Sequence, residues 1–251
     1  MILQEVTLQS LIRAAQIPPL AMPEMDDPVR SLGDAIRRSP AKNPVIAEIK
    51  PASPASGTIR SEPDVGEIAA GYERAGGTAI SVLTEPIYFK GREEYLRTAR
   101  DSSSLPLLRK DFIVDPRQVS ESRALGADAV LLIAGLLGDR LMGMMQCCYD
   151  LTLEPLVEVH TREEAFAARD AGARLIAVNN RDLSSLSLSL QTTADLAPIV
   201  RGGSRVVISA SGYTKPEEVS RMRPYCDAFL IGSALMRSFE PAIALREFLC
   251  A

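Results

Sequence analysis

Apolar residues along the chain fall into short unbroken runs, each followed by a stretch where apolar positions recur at helical spacing. The run VIAEI at 45–49 precedes a helical pattern at 65–76, and the run at 79–84 precedes one at 92–100. Runs at 105–110, 128–134 and 153–159 lead into patterns at 116–126, 138–150 and 161–172. Those at 173–179, 204–209 and 227–232 lead into 193–200, 215–224 and a closing pair, SALMR and PAIALREFL. Strands with one wet face alternate apolar and polar; near-continuous apolar runs mark strands covered on both faces. Helix starts are predicted at Asp115-Pro116, at Thr161 with Glu164 three residues on, and at Lys215-Pro216 after Thr214. Gly76, Gly126 and Gly172 supply the residue that ends helices in left-handed backbone.

Eight strand–helix units predict an α/β fold, a closed (β/α)8 TIM barrel over 45–251. The rival is an open doubly wound sheet. That sheet usually has a glycine-rich turn after its first strand, whereas here the turn is rich in Pro and Ser. Residues 1–44 stand outside the repeat as an N-terminal helical extension. There TLQSLIRAA and DPVRSLGDAIRRS read as short helices joined by IPPLAMPEMDD, expected to cap one end of the barrel and to shape the site. The run SSLSLSLQ at 184–191 reads as a loop with a weak strand or turn.

Composition narrows the class. In 251 residues, 46% hydrophobic and 24% charged positions suffice for a large core and argue against disorder. A net charge of -4 without any Lys/Arg block gives no reason to expect a nucleic-acid partner. No apolar run reaches membrane-spanning length, and the start lacks the layout of a signal peptide, so a cytoplasmic protein without a membrane partner is expected. Cys147, Cys148, Cys226 and Cys250 match neither a disulfide framework nor a zinc ribbon and read as reduced, packed thiols. His160 is the sole histidine, so a histidine-rich metal site is excluded; no metal and no cofactor are expected.

In a barrel the chemistry gathers at the C-terminal ends of the strands. Those ends deliver Glu48 and Lys50, two apart and so on one face; Lys110, followed by Asp111 and Phe112; Glu158; Asn179, Asn180 and Arg181; Ser209, Ser211 and Gly212; and Gly232 with Ser233. Glu48 and Glu158 lie inside apolar runs, and a buried carboxylate needs a partner. Lys50 and Lys110 are the natural ones, and burial and mutual influence are expected to push these groups toward neutral pKa values. The Gly/Ser loops SGYTKPEE and IGSALM predict backbone N–H groups gathered for an anion. A phosphorylated small substrate and acid–base chemistry by Lys and Glu follow. His160 reads as a turn or surface residue, with orientation of Glu158 as the alternative.

IAEIKPASPASG, SVLTEPIYFKG, LRKDFIVD, GADAVLLI, LVEVH, VNNRDL, ISASG and FLIGSALM occur in this order. Over about residues 27 to 248 the chain resembles the indole-3-glycerol phosphate synthase family of tryptophan biosynthesis. The resemblance implies a cofactor-free carboxy-lyase that closes the pyrrole ring of 1-(2-carboxyphenylamino)-1-deoxyribulose 5-phosphate with loss of CO2 and water. It implies Lys110 as general acid on the ribulose carbonyl, and Lys50 on the substrate carboxylate and as second proton donor. Glu48 and Glu158 are then the partner carboxylates, and Asn179 and Arg181 the orienting groups. Ser53, Ser211, Gly212, Gly232 and Ser233 are implied at the phosphate, and Phe89, Phe112, Leu131 and Leu183 as walls. Neighbouring enzymes of the tryptophan pathway are implied as partners. The alternatives are a diverged paralogue acting on a related aminodeoxyribulose phosphate, or a non-catalytic barrel that binds a phosphate ligand. Two features depart from the family pattern. The second basic residue after Lys50 is missing, leaving Lys42, Arg60, Lys90 and Lys215 to compensate, and Ala210 stands where the family carries glutamate.

Overall fold

The computed structural model describes residues 2–18, 29–182 and 185–251. Eight parallel strands close on themselves: β1 (Val45–Ile49), β2 (Ala79–Leu83), β3 (Leu107–Lys110), β4 (Ala129–Ile133), β5 (Glu154–Val159), β6 (Leu175–Asn179), β7 (Val206–Ala210) and β8 (Ala228–Ile231). Each pairs with its sequence neighbours, and β8 returns to β1 with Val45 opposite Phe229. This is the (β/α)8 barrel, and the open-sheet rival is set aside.

Strand alternation sorts the side chains into two cores. Ile46, Leu108, Leu131, Leu156, Ile208 and Leu230 fill the barrel interior. Val45, Ala47, Ile49, Val82, Val157 and Phe229 point outward into the layer beneath the helices. Both sets are buried, which is why the runs carry no polar alternation. The outer shell is built from α3 (Val65–Arg74), α4 (Glu93–Ser102), α5 (Pro116–Ala124), α7 (Leu141–Asp150), α8 (Arg162–Asp170), α9 (Gln191–Val200), α10 (Pro216–Met222) and α12 (Pro241–Cys250). The predicted starts form: Asp115 with Gln118 makes a capping box before Pro116, and the Thr161 hydroxyl accepts from Glu164 N. Gly76, Gly126 and Gly172 adopt φ of +92°, +88° and +80° as helix terminators.

Two local features differ from expectation. The Pro/Ser-rich turn after β1 folds into a two-stranded ribbon, Ala52–Ser53 against Gly57–Thr58. Such short pairing leaves no hydrophobic period to read. A single turn, α6 (Ala134–Leu137), separates β4 from the rest of its helix. The Ser/Leu segment contributes one antiparallel bridge, Arg181 to Leu188, in line with a weak strand.

The two N-terminal helices serve opposite ends. The amide of Gly33 in α2 (Leu32–Arg37) donates to Glu154 at the start of β5, and Leu32 and Ile36 plug the bottom of the interior core. The other helix, α1 (Ile2–Gln16), lies at the top: Ser10 donates to the Phe112 carbonyl, and Arg13 binds Asp111 through both terminal nitrogens. Both contacts fall just beyond the end of β3, so a shared cap at one end gives way to a plug below and a brace above. The connecting segment lies outside the described residues.

Asp111 is the joint of that brace. It is fully buried and receives Arg13, Arg109, Thr84 Oγ1 and the Phe112 amide. Burial raises its pKa, but the two guanidiniums outweigh that and hold it below the usual aspartate range. The resulting stabilisation is full above about pH 3.9 and is lost as the pH falls through the lower folded value. Asp111→Asn should cost ~3–5 kcal/mol in denaturant unfolding at neutral pH, because two guanidiniums lose their counter-ion. A cost below ~1 kcal/mol would mean that the cluster does not hold this end together.

Candidate active site

Alternation along each strand decides which side chains reach the mouth. On β1, Ile46 points inward, so Glu48 and Lys50 point inward above it. Leu108 sets Lys110 in the same way, Leu156 sets Glu158, and Ala177 sets Asn179. All converge on one open cavity at the C-terminal ends of the strands. Lys50, Lys110, Glu48, Glu158, Asn179, Arg181, Ser53, Ser211, Gly212, Gly232, Ser233, Phe89, Phe112 and Leu131 line it together. Leu183 lies outside the described residues.

Two ion pairs face each other there. Lys50 Nζ sits 2.7 Å from Glu48 Oε1, and Lys110 Nζ sits 3.5 Å from Glu158 Oε2. Gly232 makes the first pair possible, because a Cβ at that position would collide with the Glu48 carboxylate. The second pair sets proton affinities apart. Burial pulls Lys110 down, but Glu158 and Glu48 outweigh it and raise the pKa above the usual lysine value. Burial pushes Glu158 up, and Lys110, His160 and Asn179 together drive it well below the carboxylate range. For this pair the expected drift toward neutrality is therefore reversed, because opposite charges at contact distance outweigh desolvation. Lys110 is an ammonium and Glu158 a carboxylate at neutral pH.

Glu158 has its two oxygens in different surroundings. Oε1 accepts from Asn179 Nδ2 at 3.1 Å and lies 3.3 Å from His160 Nε2. Oε2 faces Lys110 and has no hydrogen-bond partner. Asn179 is fixed in turn by accepting from the Arg181 amide at 3.0 Å. The His160 side chain is only 6% exposed, so it is a buried neighbour of Glu158 and no surface residue. The signal was present in the spacing: His160 is two residues beyond Glu158, as Lys50 is beyond Glu48.

The rim is built from loops that a buried polar network holds. Asn180 donates to the Ser211 carbonyl at 3.0 Å and to Ser209, and accepts from Thr193. Tyr213 also donates to Ser209. Ser211 and Gly212, which line the cavity, have φ of +70° and +96°, a left-handed turn of the backbone at the rim. Across the mouth, Glu85 accepts the amides of Ile87, Tyr88 and Phe89, and Phe89 stacks obliquely on Phe112 with centroids 6.2 Å apart. Glu85 escaped the sequence reading, although a buried carboxylate directly after an apolar strand was its signal.

The missing basic residue after Lys50 is not replaced by any of the four expected cations. Lys90 binds Thr58 Oγ1, Arg60 binds the carbonyls of Met236 and Ser238, and neither these two nor Lys42 and Lys215 line the cavity. Arg237 at the end of α11 (Ser233–Arg237) does, donating to Ser56 Oγ at 2.9 Å. Val6 of α1 also reaches the cavity wall.

A family model described as indole-3-glycerol phosphate synthase matches residues 3–248. Curated proteins named indole-3-glycerol phosphate synthase are similar over most of their length. The Aquifex aeolicus protein is 48% identical over 208 residues, 82% of this chain and 80% of the relative. The Bordetella pertussis protein is 46% identical over 221 residues, 86% and 84%. The Carboxydothermus hydrogenoformans protein is 45% identical over 223 residues, 87% and 84%.

His160 provides a direct test of the site's electrostatics. Burial lowers its pKa, but Glu158 and Glu164 raise it to about 9. The sole imidazole should titrate near that value by NMR, and Glu158→Gln or Glu164→Gln should each move the midpoint down. The stability it supplies is complete below about pH 6.5 and is lost as pH rises through about 9. A native midpoint at or below the ordinary histidine value would refute the arrangement.

Proposed function

The chain belongs to the indole-3-glycerol phosphate synthase family, and from that premise we propose that Lys110, Lys50, Glu48 and Glu158 carry the reaction at the barrel mouth. The enzyme is a decarboxylating lyase of tryptophan biosynthesis. It converts 1-(2-carboxyphenylamino)-1-deoxyribulose 5-phosphate into indole-3-glycerol phosphate, CO2 and water. The observation that carries the assignment is the meeting of both Lys–Glu pairs in one cavity with an aromatic wall and a Gly/Ser rim.

The chemistry asks for two protons at different moments. In ring closure, the ring carbon bearing the carboxylate attacks the ribulose carbonyl, and negative charge grows on the carbonyl oxygen. Lys110 donates there. Its raised pKa keeps it protonated, and a developing alkoxide is more basic than any ammonium, so transfer runs downhill once the bond forms. Loss of CO2 then returns electrons to the ring and restores the enamine. That step is favoured because the wall of Phe89, Phe112 and Leu131 packs against the aromatic ring and keeps water from it. Departure of the hydroxyl as water consumes the second proton, assigned to Lys50, which first holds the substrate carboxylate, and the methylene carbon beside the nitrogen gives its proton to a carboxylate of the mouth, Glu48 or Glu158, to complete the aromatic pyrrole. Glu48 orients Lys50 through their 2.7 Å contact, and Glu158 both orients Lys110 and raises its proton affinity.

Arg181 and Asn179 orient the substrate hydroxyls in this reading. Ser53, the amides at Ser211 and Gly212, and Gly232 with Ser233 receive the phosphate. The turned backbone at Ser211 and Gly212 supports that assignment. No helix among the described residues is long and apolar enough to cross a membrane. A cytoplasmic setting beside neighbouring enzymes of the pathway belongs to the same proposal.

Incubation with the carboxyphenylamino substrate should give rising indole fluorescence. Lys110→Met should reduce kcat by about 10²–10⁴-fold while leaving phosphate-ligand binding largely intact. Near-parental turnover in that variant would remove Lys110 from the role of acid. Ala210 lies inside the barrel opposite Asn179, where a carboxylate would reach toward the mouth. Ala210→Glu should raise turnover; an unchanged or lower rate would mean that the pocket has been rebuilt around alanine.

A further inference from the structure

The His160 side chain is buried, has a carboxylate within ion-pair distance of each ring nitrogen, and has no part in the proton transfers above. Nε2 lies 3.3 Å from Glu158 Oε1, and Nδ1 lies 3.3 Å from Glu164 Oε2. Glu164 is itself immobilised. It accepts the His160 amide at 2.7 Å from its place in the first turn of α8, and Gly135 of α6 leaves the space its carboxylate occupies. The charges that face the imidazole are Glu158 on β5 and Glu164 on α8; α6 contributes only Gly135, and Lys110 on β3 stands on the far side of Glu158. The result is a row of alternating charge, Glu164, His160, Glu158, Lys110, running from the helix layer into the mouth.

The row divides the work of the two Glu158 oxygens. Oε1 accepts from Asn179 and has the imidazole Nε2 beside it at 3.3 Å as an ion-pair partner, while Oε2 is directed at Lys110 and has no hydrogen-bond partner. A carboxylate tethered through one oxygen cannot swing away from its partner when that partner gives up its proton. We propose that His160 is a positioning residue for the reaction: clamped by Glu164, its imidazolium engages one oxygen of Glu158 and so keeps the other aimed at Lys110 and the reacting centre. The inference rests on the assignment of Glu158 and Lys110 to the reacting set.

The test compares kcat, KM and the pH profile of kcat/KM for the parent, His160→Gln and His160→Asn, with thermal midpoints recorded to certify folding. Gln offers an uncharged donor near the Nε2 position; Asn falls short of it. In the parent, kcat/KM should decline on the alkaline side with a midpoint near 9, where the imidazolium is lost. Both variants should lose that limb. At neutral pH His160→Asn should lower kcat about tenfold with KM nearly unchanged, and His160→Gln less. A loss of packing alone would lower the thermal midpoint and leave the limb where it was, and that outcome overturns the proposal. Parental kcat in both folded variants overturns it too. Glu158→Gln separates the two levels. If it turns over normally, the assignment of Glu158 itself fails; if it is impaired while both His160 variants match the parent, only the positioning role fails.

Discussion

A carboxylate buried inside a barrel mouth must be met by cations, and the contact between Glu158 and Lys110 is where this molecule satisfies that demand. The remaining features of the mouth are arranged around it. Asn179 and His160 occupy the other Glu158 oxygen, Arg181 steadies Asn179, and Glu164 steadies His160. The same contact raises the proton affinity of Lys110 against burial, which lowers it. The pair thus keeps Lys110, the proposed acid, protonated in a place where an isolated lysine would be drawn toward neutrality.

Strength and chemistry are divided between layers of the same strands. Lys110 points into the barrel and works at the mouth; its neighbour Arg109 points outward, is fully buried, and binds Glu121, Asp111 and Glu93 beneath the helices. The outward network therefore anchors the strand tip that carries Lys110. Asp111 joins this network to α1, so the brace from the N-terminal helix ends one residue from Lys110.

Much of this was legible in the residues. Eight apolar runs reported doubly covered strands, and the carboxylates within VIAEI and LVEV reported ion pairs with Lys50 and Lys110 at the mouth, because such positions are otherwise apolar. What stayed hidden depended on distance in space. Nothing in TLQSLIRAA says that it lies above the barrel while DAIRRS lies below, since both helices are short and their partners are about 100 residues away or more. The sign of the pKa shifts was hidden for the same reason: burial and pairing oppose each other, and only the 3.5 Å separation decides between them. Arg237 could not be picked out among 28 basic residues, because its place at the rim follows from the end of α11 and not from any local pattern. His160 was readable from its offset from Glu158, yet a residue just past a strand end is more often solvated.

Closure of the ring sets the order in which the chain can be finished. β1 hydrogen-bonds to β2 on one side and to β8 on the other, and Asn43, just ahead of β1, donates to the Phe248 carbonyl in α12. During synthesis the earliest strand therefore waits with an open flank until the last strand has emerged from the ribosome. Through that interval the nascent sheet presents two unsatisfied borders of almost purely aliphatic sequence, the geometry that invites pairing with another chain. For this protein the hazard of misassembly is concentrated before release of β8, and a chaperone that shields the flank of β1 would act on the most vulnerable species.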